Sequence, residues 1–136
     1  MSALIVWNED LSVNVRKIDE QHHKLVDLIN ELYEAMQKGQ SKEFLDEIID
    51  GLIDYSVIHF NTEEGLLEKF SYPNLEIHKE EHSLFKQKVT KFQNDYKKGT
   101  AWLSIDMLLF LSDWLKTHIK KSDKSFSKFL NEKGMF

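Results

Sequence analysis

Apolar residues in this chain recur at alternating steps of three and four, the period of an α-helix with one buried face. Ile18, His22, Leu25, Ile29, Leu32 and Met36 share one such stripe, which ends near Gly39. Ser41 makes a fair N-cap for a second stripe of Phe44, Ile48, Leu52, Tyr55, His59, Glu63, Leu66 and Phe70, stopped by "SYPN". The third is the most regular: Leu75, His78, His82, Phe85, Val89, Phe92 and Tyr96, ending at "KKGT". A fourth runs Ala101, Ile105, Leu108, Leu111, Leu115 and His118, with Trp114 beside it. Phe126, Phe129 and Leu130 predict a short last helix, and the residues before about Asp19 read as a non-helical arm with Trp7, Leu11 and Val13 available to pack. Only one proline, Pro73, and five glycines interrupt the pattern. The expected fold is therefore all-α: an antiparallel up-down-up-down four-helix bundle with an N-terminal arm and a short C-terminal helix. Residues 1–136 read as a single domain, with no repeat, linker or low-complexity segment. That length can bury roughly two-thirds of the unfolded surface.

Histidines break the apolar pattern. Five of the six (His22, His59, His78, His82 and His118) fall on core stripes, whereas His23 lies about 100° round the helix from His22. A single core histidine is ordinarily a hydrogen-bonded packing residue. Five in one small bundle are different, because each buried imidazole needs partners for two ring nitrogens, and an unpaired polar group costs a few kcal/mol. Metal coordination satisfies them together. Carboxylates lie within reach: His59 and Glu63 are four residues apart on one face, while Glu64 should turn outward. Asp123 follows His118 by five residues, about 140° out of phase on an ideal helix. A surface aspartate is the ordinary reading of that spacing. For Asp123 to face inward, the helix must end, tighten or bulge around Lys120 to Ser122.

In an antiparallel bundle all five core histidines come to one end. Five imidazoles and two carboxylates exceed what one ion takes comfortably. Two ions bridged by both carboxylates accommodate them, with three histidines on one ion, two on the other and a shared oxygen, leaving one coordination position open. Imidazoles accept zinc, copper, nickel or iron, so the donors alone leave the metal undecided.

Composition narrows the class. Hydrophobic residues make up 41% and charged residues 30%, a globular balance, and the net charge of −5 argues against nucleic acid as partner. No apolar run is long enough to span a bilayer, and "MSALIVWNEDLS" lacks the basic-then-apolar order of a secretory leader. With no cysteine there is neither disulfide nor thiolate ligand, and a cytoplasmic location is expected. Lys116, Lys120, Lys121, Lys124, Lys128 and Lys133 concentrate near the end of the chain. A solvated helix face is the ordinary reading of that row, and a docking surface for a protein partner is the other.

In order and separation, "DEQHHKL", "HFNTEE", "HKEEH" and "DWLKTHIKKSD" resemble the ligand motifs of the hemerythrin family, and the single-domain length resembles the bacteriohemerythrins. The resemblance implies two iron ions as cofactor, carboxylate- and oxo/hydroxo-bridged. His78, His82 and His118 would hold one iron, His22 and His59 the other, with Glu63 and Asp123 bridging. It implies reversible O2 binding as hydroperoxide at the open position of the two-histidine iron, with Phe60, Trp114 and Leu115 forming the pocket. In the reaction so implied the net charge of the cluster is the same before and after, which a buried site in an apolar pocket tolerates. Many family members have a tyrosine three residues after the bridging aspartate, where this chain has Phe126.

The resemblance thus implies an O2 carrier, store or delivery protein rather than an enzyme. A di-iron O2-activating enzyme is the first alternative, but such sites are carboxylate-rich and use Glu-x-x-His pairs. Here the spacing occurs only at Glu20 and His23. A zinc hydrolase would need a glutamate where "HKEEH" has Lys79. A sensor or iron reservoir with the same site would have to act through a protein partner, since no residues are left over for an output domain.

Overall fold

The computed structural model describes residues 4–98 and 105–136, without the side chains of 105 and 106. The packing expected of Ala101 and Ile105 lies outside the described residues. The elements follow the predicted order. They are α1 (Arg16–Gln37), α2 (Lys42–Lys69), α3 (Leu75–Lys97), α4 (Ile105–His118), a π-helical turn (Ile119–Asp123) and α5 (Lys124–Glu132). α1 packs on α2, α2 on α3 and α4 on α1, while Phe85 stacking on Trp114 joins α3 to α4. No helix among the described residues is long and apolar enough to cross a membrane.

The arm packs on the bundle, as its apolar residues predict. Ile5, Leu11, Val13 and Val15 are all buried, and Asn30 of α1 exchanges two hydrogen bonds with the Ile5 backbone, both 2.9 Å. Asp19 accepts from Ser12 Oγ at 2.7 Å and from the Val13 N–H at 2.8 Å. These bonds seat the arm on the first turn of α1, so the helix begins three residues ahead of the expected Asp19.

Ser41 caps α2 as expected, its hydroxyl accepting from the Phe44 N–H at 3.2 Å. The buried face of α2 is rotated from the predicted stripe. Ser56, Phe60 and Leu67 are buried, Tyr55, Leu66 and Phe70 are half-buried, and Phe44 is 42% exposed. A helix packed between two neighbours buries a face wider than one stripe. Its centre cannot be fixed from apolar residues alone. Beyond Lys69, a left-handed Ser71 (φ 57°) and Pro73 turn the chain into α3.

Candidate metal centre

α1 supplies His22 from its second turn and α2 supplies His59 and Glu63 one turn apart. α3 brings His78 and His82 from its start, and His118 ends α4. All five histidines and both carboxylates are buried, Glu63 and Asp123 at 0% exposure. The π-helical turn explains Asp123. There the Lys124 N–H donates to the Ile119 carbonyl five residues back, so the backbone winds more widely than in an α-helix. The extra residue absorbs the phase error of the His118–Asp123 spacing and swings the carboxylate inward. His118 Nε2 and Asp123 Oδ1 end 3.1 Å apart.

The seven predicted side chains form two overlapping groups. Glu63, His78, His82 and His118 make one; His22, His59, Glu63 and Asp123 make the other. Within each group the ligand atoms lie within 4.8 Å of one another. Every imidazole turns its Nε2 inward. His59 stands 2.6 Å from Glu63 Oε1, and His78 stands 3.3 Å from Glu63 Oε2. Asp123 straddles the groups, with Oδ2 2.9 Å from His22 Nε2 and Oδ1 3.1 Å from His78 Nε2.

His82 and His118 give the sharpest sign that a cation belongs here. Their Nε2 atoms lie 3.0 Å apart. Each ring's Nδ1 faces a carboxylate oxygen, Glu64 Oε2 at 3.0 Å for His82 and Glu81 Oε2 at 2.8 Å for His118. An ionised carboxylate only accepts, so both Nδ1 atoms must be donors. In the neutral rings both Nε2 lone pairs then point at each other, which only a proton or a metal ion between them relieves. Two ligands about 2.1 Å from one metal and at right angles would lie about 3.0 Å apart. Nearby, His22 Nδ1 and Nε2, His59 Nε2, Glu63 Oε1 and both Asp123 oxygens are buried without a well-formed hydrogen bond. The donor set fits a pair of metals.

Protons stand in for cations in the metal-free chain. Burial opposes charge on His78, but the carboxylates of Asp123 and Glu63, 3.1 Å and 3.3 Å from its Nε2, outweigh it and push its pKa up to about 9. The same opposition at His118 is overcome by the charge of the adjacent Asp123 carboxylate and by the Glu81 carboxylate on its Nδ1, giving about 10. His82 goes the other way: burial, helped by its two charged neighbours and resisted by Glu63, takes it down to about 3. Burial and the nearby Asp123 push the Glu63 carboxyl up, yet His59 and His78 hold it below the usual carboxylate range. At pH 7 His78 and His118 therefore carry protons that coordination must expel. Loading divalent metal in weak buffer should release protons, read by a pH indicator. Proton-neutral loading would contradict the apo charge pattern.

Aromatic side chains close the centre on its inner side. Phe60 stacks on His82 with ring centroids 3.9 Å apart, and Trp114 stacks on His118 at 4.5 Å. Phe126 stands edge-on to His78 at 5.3 Å, so no hydroxyl reaches the centre from that position. Leu115, Phe60 and Trp114 share a narrow cavity of ≈ 10 Å³ with Leu25, Ser56 and Phe85, about the room of one water-sized molecule.

Glu64 corrects one expectation. It does not turn outward: only 20% of its side chain is exposed and it holds His82. At about 100° from Glu63 it lies on the flank of α2 facing α3. Glu81 and Gln21, which accept from the Nδ1 atoms of His118 and His59, were also missed by the spacing, since their partners lie on other helices.

Comparison with known proteins agrees with this geometry. The hemerythrin HHE cation binding domain model matches residues 13–130. A bacteriohemerythrin of Stenotrophomonas maltophilia is 33% identical over 125 residues, covering 92% of this chain and 80% of that protein. One of Methylococcus capsulatus is also 33% identical, covering 95% and 98%. A wild-type hemerythrin crystal structure superposes with a TM-score of 0.89 at 32% identity, covering 93% of this chain and 97% of the other. The chain therefore belongs to the hemerythrin family, which is defined by a cation-binding domain.

Proposed function

We propose that this chain binds O2 reversibly at a pair of irons held by His22, His59, Glu63, His78, His82, His118 and Asp123. The observation that carries the reading is the pair of buried ligand groups sharing Glu63, with imidazole lone pairs forced against one another. In this reading His78, His82 and His118 hold one iron, His22 and His59 hold the other, and Glu63 and Asp123 bridge the two. When bound, the iron pair supplies an open coordination position and two electrons to one O2 molecule.

The residues around it set how far the chemistry goes. Leu115, Phe60 and Trp114 keep the approach apolar, which admits O2 and excludes water and ionic reductants. Among the described residues the one hydroxyl lining that cavity, on Ser56, is committed to the Leu52 carbonyl at 2.8 Å and offers no proton. A pocket without mobile protons favours release of O2 over its further reduction, so the function is carriage, storage or delivery of O2 rather than catalysis. A protein that receives O2 is the partner this implies.

Anaerobic iron loading followed by O2 titration tests the proposal. About two irons and one O2 per chain are expected, with a visible band that bleaches under vacuum. Colourless metal binding, or steady consumption of O2 with a reductant, would overturn it. Leu115→Ala should admit water and speed autoxidation by roughly tenfold, the equivalent of ~1.4 kcal/mol of barrier. Decay of the oxygenated band over time measures it, and an unaltered rate would show that Leu115 is not the gate.

A further inference from the structure

Outer ring nitrogens of the inward-facing histidines meet three side chains, and the charge on those side chains falls on one side of the centre. His118 Nδ1 donates to Glu81 Oε2 at 2.8 Å, and Ser122 Oγ donates to the same oxygen at 2.6 Å. His82 Nδ1 donates to Glu64 Oε2 at 3.0 Å. His59 Nδ1 donates instead to an uncharged amide, Gln21 Oε1, at 2.7 Å. The orientation of that amide is fixed by its other end. Gln21 Nε2 donates to Thr62 Oγ1 at 3.2 Å, and the Thr62 hydroxyl is itself committed to the Ile58 carbonyl at 2.9 Å. His22 Nδ1 has no hydrogen-bond partner among the described residues.

We infer that Glu81 and Glu64 are positioning residues that make the three-histidine metal the more electron-rich of the pair, leaving the metal beside His22 and His59 the stronger Lewis acid. The inference rests on the two-iron reading above. An imidazole that donates to a carboxylate through one nitrogen is a stronger base at the other, and the hydrogen bond also fixes its tautomer and ring orientation. Hydrogen bonds to a charged acceptor are roughly twice as strong as those to a neutral amide, and the His82 and His118 rings that receive the difference are themselves buried. The asymmetry divides labour between the ions. One gives up electron density readily; the other, with the open position, holds whatever anionic ligand forms there. Glu81 has a mechanical part as well. Ser122 belongs to the π-helical turn, so one carboxylate on α3 steadies both the His118 ring and the turn that presents Asp123.

Iron-loaded Glu81→Gln, Glu64→Gln and Gln21→Glu proteins test this beside the unaltered chain. Iron analysis comes first, then the midpoint potential by redox titration, then azide affinity of the oxidised form from its visible absorbance. Both glutamine variants should keep two irons, show a higher midpoint potential and lose iron to a chelator about 10- to 100-fold faster. Gln21→Glu should lower the potential and weaken azide binding severalfold, because the added charge falls on the open metal's side. Glu81→Asp, which keeps the charge, should restore the potential, and Ser122→Ala should hasten iron loss without moving it. Two-iron glutamine variants with an unmoved potential, or a Gln21→Glu protein with unaltered azide affinity, would overturn the inference while leaving the two-iron reading intact. An unaltered chain that never takes up two irons would overturn both.

Discussion

Glu63→Ala should give a chain that remains helical in the cold but takes up no pair of irons. Glu63 belongs to both groups of candidate ligands, so on the two-iron reading its loss would remove a donor from each ion at once. Truncating an outer partner of a metal ligand already costs about 10- to 100-fold in affinity, and losing a shared ligand should exceed that. The metal-free fold suffers too. The carboxylate stands 2.6 Å from His59 Nε2 and 3.3 Å from His78 Nε2, and no part of it is exposed. Breaking a buried pair by deleting one partner costs about 3–5 kcal/mol, because the other partner is left without compensation. A lowered melting temperature by circular dichroism should therefore accompany the loss of iron in metal analysis. A variant that still carried two irons would show that Glu63 is not a ligand, and the proposed bridge would be wrong.

How much of this was legible in the sequence depends on whether the partners share a helix. His59 and Glu63, or His78 and His82, lie four residues apart, and that interval alone places them on one face. The inward turn of Asp123 was legible as a conflict: a five-residue interval fits the histidine end only if the backbone departs from α-helical geometry, and it does so where the conflict falls. Contacts between helices were not legible in the same way. Glu64 reaches across to His82 from α2, Glu81 to His118 on α4, and Gln21 from α1 to His59. Each of the three flanks a stripe, where a polar residue ordinarily faces water, and nothing in the local period separates a second-layer partner from a solvated side chain. The one available signal is adjacency. Glu64 follows Glu63, Glu81 precedes His82 and Gln21 precedes His22, so each lies about 100° from a ligand, at the margin of the buried face. The rotated face of α2 failed for a related reason, since Phe44 is apolar yet 42% exposed near the start of the helix.

Insertion of one alanine between Lys120 and Lys121 should abolish metal binding, whereas deletion of Lys120 should leave it. The contrast follows from what the π-helical turn does. Residues His118 and Asp123 face each other because five residues are wound into the turn that four would occupy in an α-helix. Removing exposed Lys120 lets the turn close as an α-helix, with the two ligands four apart, the interval His59 and Glu63 already use on α2. Adding a residue has the opposite consequence, rotating all that follows by about 100°. Asp123 then leaves the centre, and Phe126 and Leu130, both fully buried, turn toward solvent with it. Exposing side chains of that size costs about 1.5–3 kcal/mol each, so the insertion should lower the melting temperature as well as the iron content. Should the deletion variant fold yet lose its iron, the wide turn would have to set more than the phase of Asp123. The Ser122–Glu81 hydrogen bond, which the deletion also shifts, would be the first place to look.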